Sequence, residues 1–175
     1  DLATFARHHV EQQPRDAWGW LSLGLATRRL ADNATAAAAF DSAMARLDTR
    51  GRARLNRIDR VLPPGDSARR ANGSDAERAA YQRLYWAMSD PLWSRGGNES
   101  HTEYMARVTF AELRWTVDEL GVRGADTDRG DIYIRYGPPS LVAAFGAQHG
   151  STGGNPVDAI TLSTIWAYDT GLMFV

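Results

Sequence analysis

The stretch that most constrains the chain runs from Asp126 to Pro139, DTDRGDIYIRYGPP. Asp and Gly at positions 126, 128, 130 and 131 favour turn conformations. Ile132 and Ile134 alternate with Tyr133 and Arg135, the period of a half-buried strand. Gly137-Pro138-Pro139 then ends pairing, because proline offers no N–H. The stretch therefore reads as a charged turn, a short strand and a rigid exit. Further short apolar runs follow it. Leu141–Phe145 is one, Ile160 through Tyr168 supplies one or two strands, and Leu172–Val175 begins another.

Upstream, the periodicity is helical. Leu2, Phe5, Ala6 and Val10 share a face, and Pro14 closes that segment. Asp16 is a suitable N-cap for a helix carrying Trp18, Trp20, Leu21, Leu23, Gly24 and Leu25. An alanine-rich helix then runs to about Leu47. Trp20-x-x-Leu23-Gly24, followed by Ala36, Phe40 and Ala43, resembles one tetratricopeptide repeat, the alternative being an ordinary helical hairpin. In that reading Gly24 and Ala36 are the small residues where two helices cross, and Trp20 and Phe40 are the large packing residues.

Residues 50–60 hold Arg50, Arg52, Arg54, Arg57 and Arg60, read as a solvated helix face rather than a nucleic-acid patch. Residues 63–74, rich in Pro, Gly, Ser, Asn and Arg, read as a linker. Ser74-x-x-Glu77 and Ser100-x-x-Glu103 are capping boxes. The first opens a helix whose apolar side is Tyr81, Leu84, Tyr85 and Met88. The second opens the longest helix, expected to reach Leu120, with Gly121 as its C′ residue. Between them, Ser94-Arg95-Gly96-Gly97 reads as a joint.

Composition removes several classes of function. At 175 residues, the chain suits one domain or two small ones, and 43% hydrophobic content with six Trp supports a real core. All 20 basic residues are Arg, against 21 acidic ones, so the net charge is -1. That balance leaves no electrostatic footprint for nucleic acid and favours a lattice of Arg–carboxylate pairs. There is no Cys, which excludes disulfides and thiolate metal sites. No apolar run approaches the roughly 20 residues of a membrane-spanning helix, and no signal peptide is present. Both ends read as cuts in a longer protein.

A set of short motifs occurs in order. It comprises Asp90-Pro91-Leu92, Asn98-Glu99, Glu103, Ala106-Arg107-Val108, Ala111, Leu113-Arg114, Thr127-Asp128-Arg129-Gly130, Ile132 through Pro139, and Ile165-Trp166-x-Tyr168. Together these resemble the GWxTD-domain proteins of bacteria over roughly residues 60–175. The resemblance implies an extracytoplasmic protein, sometimes with helical repeats beforehand, and carries no activity. One departure is plain: Ala125 stands where the name motif has Trp.

The candidate site residues are Asp90, Asn98, Glu99, Glu103, Arg107, Arg114, Asp128, Arg129, Tyr133 and Arg135. One reading makes them a polar cleft for an anionic group or peptide, with paired carboxylates for acid–base work. The other makes them a buried charge lattice that docks the long helix. No nucleophile–base pair accompanies the charges, so the lattice is preferred. Asp126, Asp128 and Asp131 crowd one turn, but the order does not match a Ca²⁺ loop and three Arg compete, so no metal is expected. The four His residues show no zinc spacing. His149 in the Gly-rich loop 146–156 is the only candidate base there. Ser140, Ser151 and Ser163 lack a nucleophile elbow, and Gly150-Ser151-Thr152-Gly153-Gly154 lacks the Lys of a phosphate loop. Arg129-Gly130-Asp131 reads as coincidence with an integrin tripeptide.

The resulting expectation is an α+β chain. A TPR-like helical hairpin at 1–62 and a linker at 63–74 precede a domain at 75–175 of two long helices and a small, mostly antiparallel sheet. The expected function is a non-catalytic protein–protein interaction or scaffold module without a cofactor. It would be an accessory extracytoplasmic subunit whose partners are other proteins, such as those of a membrane-bound complex. The alternative is a ligand-binding or hydrolytic domain with a polar cleft around Glu103, Arg107, Asp128 and Arg129.

Overall fold

Helix α1 (Leu2–Gln12) begins where the Asp1 carboxylate accepts the Thr4 amide, and α2 (Ala17–Arg29) begins at Asp16 in the same way. The computed structural model describes residues 1–90, 97–148 and 160–175. After α3 (Asn33–Arg46), four helices follow: α4 (Thr49–Leu55), α5 (Pro64–Ala71), α6 (Asp75–Met88) and α7 (Glu99–Trp115). α8 (Asp128–Tyr136) and an antiparallel sheet of β1 (Leu141–Gln148), β2 (Ile160–Ala167) and β3 (Met173–Phe174) complete the α+β architecture. No helix among the described residues is long and apolar enough to cross a membrane.

The chain divides into two units, Asp1–Arg135 and Tyr136–Val175. The expected linker at 63–74 lies inside the first unit, where Pro64 at the first helical position starts α5. The core of that unit gathers Leu21, Phe40, Leu55, Met105, Val108 and Ile134. It thus draws on residues from both sides of the expected linker. α2 and α3 cross where a Cβ on Gly24 would meet the Phe40 ring at 2.6 Å. Ala36 is fully buried and Trp20 packs beside this contact, in the roles the sequence assigned to those four residues.

The first correction concerns residues 128–136, which form a helix and not a strand. Thr127 is extended, and its Oγ1 accepts the Gly130 amide at 3.0 Å, an N-cap geometry. Asp128 and Asp131 then occupy the first turn, where carboxylates complement the helix dipole. Asp131 and Arg135 pair at 3.0 Å across one turn. The period of 2 over four residues puts Ile132 and Ile134 on one face, whereas in the helix they lie on different sides and of the two only Ile134 is buried. The buried pair is Gly130 and Ile134, which has helical spacing. Gly137, at φ 82°, follows the last helical residue in the left-handed region.

Two helix boundaries also differ. α7 is capped by Asn98, whose Oδ1 accepts the His101 amide at 2.8 Å. Ser100 instead donates to the Ser89 carbonyl at 2.5 Å, and Glu103 is held by arginines. The helix ends at Trp115 rather than Leu120, because Thr116 leaves helical angles and Val117 bridges Val122. Gly121, at φ 63°, closes the intervening turn Asp118–Leu120. The box at Ser74 forms as expected, with Glu77 returning to the Ser74 amide at 2.8 Å.

In the second unit, β1 and β2 pair from Leu141↔Ala167 to Gln148↔Ile160, and β2 pairs with β3 at Trp166↔Phe174. Tyr168 donates its hydroxyl to the Gly137 carbonyl at 3.0 Å and packs with Tyr136 and Phe174. Part of the joint expected at 94–97 and most of the Gly-rich loop, His149 and Ser151 included, lie outside the described residues.

Candidate functional site

α7 is the spine of a cleft of about 560 Å³. Arg28 from α2, Tyr85 and Trp86 from α6, and Glu99, Glu103 and Arg107 from α7 line it. The spacing of 99, 103 and 107 puts three charged side chains on one face of α7. Glu103 sits between two guanidiniums, 2.7 Å from Arg107 Nε and 3.2 Å from Arg28 Nε. Arg107 Nη1 also donates to the carbonyls of Ile134 and Arg135, both at 3.2 Å. Those oxygens lie in the last turn of α8, where a cation is favoured. Glu99 shares the cleft and makes no hydrogen bond or ion pair among the described residues.

The remaining sequence candidates are dispersed. Asn98 donates to the Trp86 carbonyl and so ties the end of α6 to the start of α7. Asp90 directly follows the C-cap of α6. Arg114 is exposed on the last turn of α7. Asp128 and Arg129 are exposed on the first turn of α8 and do not line the cleft. Tyr133 stacks on Phe110 at 4.6 Å and meets Trp115 edge-on at 5.6 Å, in a separate aromatic cluster. Arg135 reaches the rim of the cleft while paired with Asp131. A cleft built from Glu103, Arg107, Asp128, Arg129 and Tyr133 is thereby corrected. In the helix 128–136, Asp128 and Arg129 sit on the exposed first turn, about two turns from the Ile134 and Arg135 carbonyls that Arg107 meets, and Tyr133 packs against Phe110 and Trp115.

A second charge cluster occupies the basic stretch, which is not simply a solvated face. Arg60 is only 6% exposed and donates to both the Ala125 carbonyl and the Asp126 carboxylate. Arg57 bridges Asp126 and Asp59, each at 3.1 Å. Burial pushes the Asp59 carboxyl up, but the Arg57 hydrogen bond and the charges of Arg57 and Arg70 outweigh it and hold the pKa below the ordinary range. The Tyr104 hydroxyl, whose pKa burial raises, donates to the Arg57 carbonyl at 2.6 Å. This is the Arg–carboxylate lattice that composition suggested. It consumes Asp126, one of the three aspartates in the crowded turn. Among the described residues no three His, Asp or Glu side chains gather as a metal site. Ala125 is 1% exposed and therefore a core position.

Sequence reasoning missed Arg28, Trp86 and Arg60. Arg28 meets Glu103 across 75 positions of chain, and no local pattern signals such a pair. Trp86 was passed over because Tyr81, Leu84, Tyr85 and Met88 made a cleaner helical stripe. Trp86 is the packing residue, with ring contacts to Tyr85, His101 and Tyr104 at 4.9, 4.8 and 5.2 Å.

His101 gives this region a pH dependence. Burial lowers its pKa, against the opposing influence of Asp41. The unfolded chain then binds a proton that the folded chain resists, so stability rises with pH through this window. The contribution is complete above about pH 6.5 and declines as the pH falls toward the lowered folded-state value. Urea unfolding at pH 7.5 and pH 5 should show that decline in the native chain. His101→Asn should flatten it, and an unchanged slope would rule His101 out as its source.

Comparison of the chain with family models, with curated proteins and with solved structures finds no match.

Proposed function

We propose that the chain is a non-catalytic protein–protein interaction module. It would serve as an accessory extracytoplasmic subunit of a larger cell-envelope or membrane-bound assembly, the setting that the GWxTD resemblance suggests. The observation that supports this is the face of α6. The helix buries no residue, and Leu84 and Met88, one turn apart, are 62% and 71% exposed. Tyr81 and Tyr85 continue the same stripe. Large apolar side chains gathered on one exposed face mark interaction surfaces more often than scattered ones do.

The chemistry of the cleft supports binding over turnover. Ser100 Oγ donates to the Ser89 carbonyl and Ser89 Oγ to the Tyr85 carbonyl, at 2.5 and 2.7 Å. Both hydroxyls are therefore committed to backbone, and neither is paired with a base. The alternative, a ligand-binding cleft around Glu103 and Arg107, is favoured by the cleft itself. It does not extend to Asp128 and Arg129.

The test is isolation from the native cells in mild detergent, with mass spectrometry of what travels with the protein. A stoichiometric partner is expected. Leu84→Glu with Met88→Glu should abolish its capture while changing stability by less than about 0.5 kcal/mol each, as for surface positions. A lone monomer would overturn the proposal.

A further inference from the structure

We infer that the cleft along α7 receives a cationic side chain, arginine or lysine, presented by a segment of the partner protein and anchored on Glu99. The inference rests on the interaction reading above and states what that partner presents. It follows from which charges in the cleft are already used. Glu103 lies between Arg28 and Arg107. Arg107 also serves two carbonyls of α8, and Arg135 pairs with Asp131. Glu99, one turn before Glu103 on the same face, is half-buried and has no such partner among the described residues. The helix N-terminus favours a carboxylate at this position. No donor among the described residues hydrogen-bonds the Glu99 carboxylate, although a partly desolvated carboxylate needs such donors.

The aromatic wall fits the same ligand. Tyr85 and Trp86 line the cleft with Glu99, their rings edge to face. A guanidinium or ammonium within about 6 Å of such a ring is attracted by its face. Tyr85 also adjoins Leu84 and lies one turn from Met88, so the cleft runs into the exposed stripe of α6. A segment with a basic residue beside apolar ones would cover both surfaces. An anion is the competing ligand, because Arg28, Glu103 and Arg107 together carry one net positive charge. It is disfavoured because Glu103 ion-pairs with both guanidiniums and Arg107 spends further donors on carbonyls, which leaves the Arg28 Nε, buried without a hydrogen bond among the described residues, as a cationic donor an anion could use.

The test is NMR titration of the isotope-labelled chain with three small probes: N-acetyl-arginine methylamide, its norleucine counterpart and its glutamate counterpart. The readouts are the Trp86 indole and Ser100 amide resonances. The expected result is saturable binding of the arginine probe alone, weakened at least about tenfold by Glu99→Gln, as for loss of one charge-assisted hydrogen bond. Glu99→Lys should transfer the preference to the glutamate probe. Preference of the native chain for the glutamate probe, equal response to all three, or response to none would overturn the inference. Should a variant fail to fold by circular dichroism, the three-probe comparison on the native chain still decides. Partner capture that depends on Leu84 and Met88, with no response to the arginine probe, would sink this inference alone. A response to the arginine probe in a chain that captures no partner would sink the interaction reading and leave a small-molecule cleft.

Discussion

Gly124→Ala is expected to cost about 3 kcal/mol or more, the upper range for overpacking a tight site. A Cβ there would lie 2.0 Å from the Ala111 carbonyl oxygen and 2.9 Å from the Thr116 nitrogen. Both are backbone atoms near the end of α7, so no side-chain rotation relieves the clash. The turn at Gly124–Asp126 would have to lift off α7. That would drag the Ala125 carbonyl away from the buried Arg60 and Gly124 away from the Thr116 hydroxyl, to which it donates at 2.9 Å. Urea unfolding measures this directly. Gly65→Ala, in α5 with open space around it, is the control and should be neutral or slightly stabilising. A loss below about 1 kcal/mol at position 124 would mean that the close approach is not a constraint.

Arg54→Met is expected to lose about 3 kcal/mol, whereas Arg54→Met combined with Glu112→Leu should return to native stability or exceed it. Glu112 is 2% exposed, and its Oε1 lies 4.0 Å from Arg54 Nε without a hydrogen bond. Its Oε2 accepts only the Thr116 hydroxyl, at 3.0 Å. The pair is close enough to offset the desolvation of the carboxylate and too distant to add much beyond that. Removing the cation alone strands a buried carboxylate. Removing both replaces a poor pair with apolar packing against the core formed by Leu55, Val108 and Ala111. A double-mutant cycle by thermal or urea unfolding reads the coupling. Additive losses in the double variant would show that Arg54 and Glu112 act independently.

The α+β class, the first three helices, the Asp16 and Ser74 caps and the three apolar runs of the sheet were legible in the sequence. Each depends on interactions within a few residues: a cap reaching three positions on, a stripe of 3.6 periodicity, an alternating run. The crossing at Gly24 and Phe40 was legible for a related reason, since a glycine and a large aromatic at matched helical positions leave little choice of packing.

The helix at 128–136 was not legible, because the alternation of Ile132 and Ile134 over four residues mimics a strand while the buried pair, Gly130 and Ile134, includes a residue with no side chain to signal it. Its choice depends on the Thr127 cap and on Gly130, where a Cβ would lie 2.0 Å from the Gly124 carbonyl oxygen. That distance exists only once the Gly124 turn is seated on α7. The candidate site divides along the same line. Glu103 and Arg107 were found because their spacing is a property of one helix, and Glu99 because it stands in the Asn98-Glu99 motif beside them. Arg28, Arg60 and Trp86 were not, because their partners come from distant chain. Sequence alone determined which side chains each helix lines up. The tertiary structure decided which of those charges are spent on arginines and carbonyls and which, as at Glu99, are not, because ion pairing depends on distance in space and not along the chain.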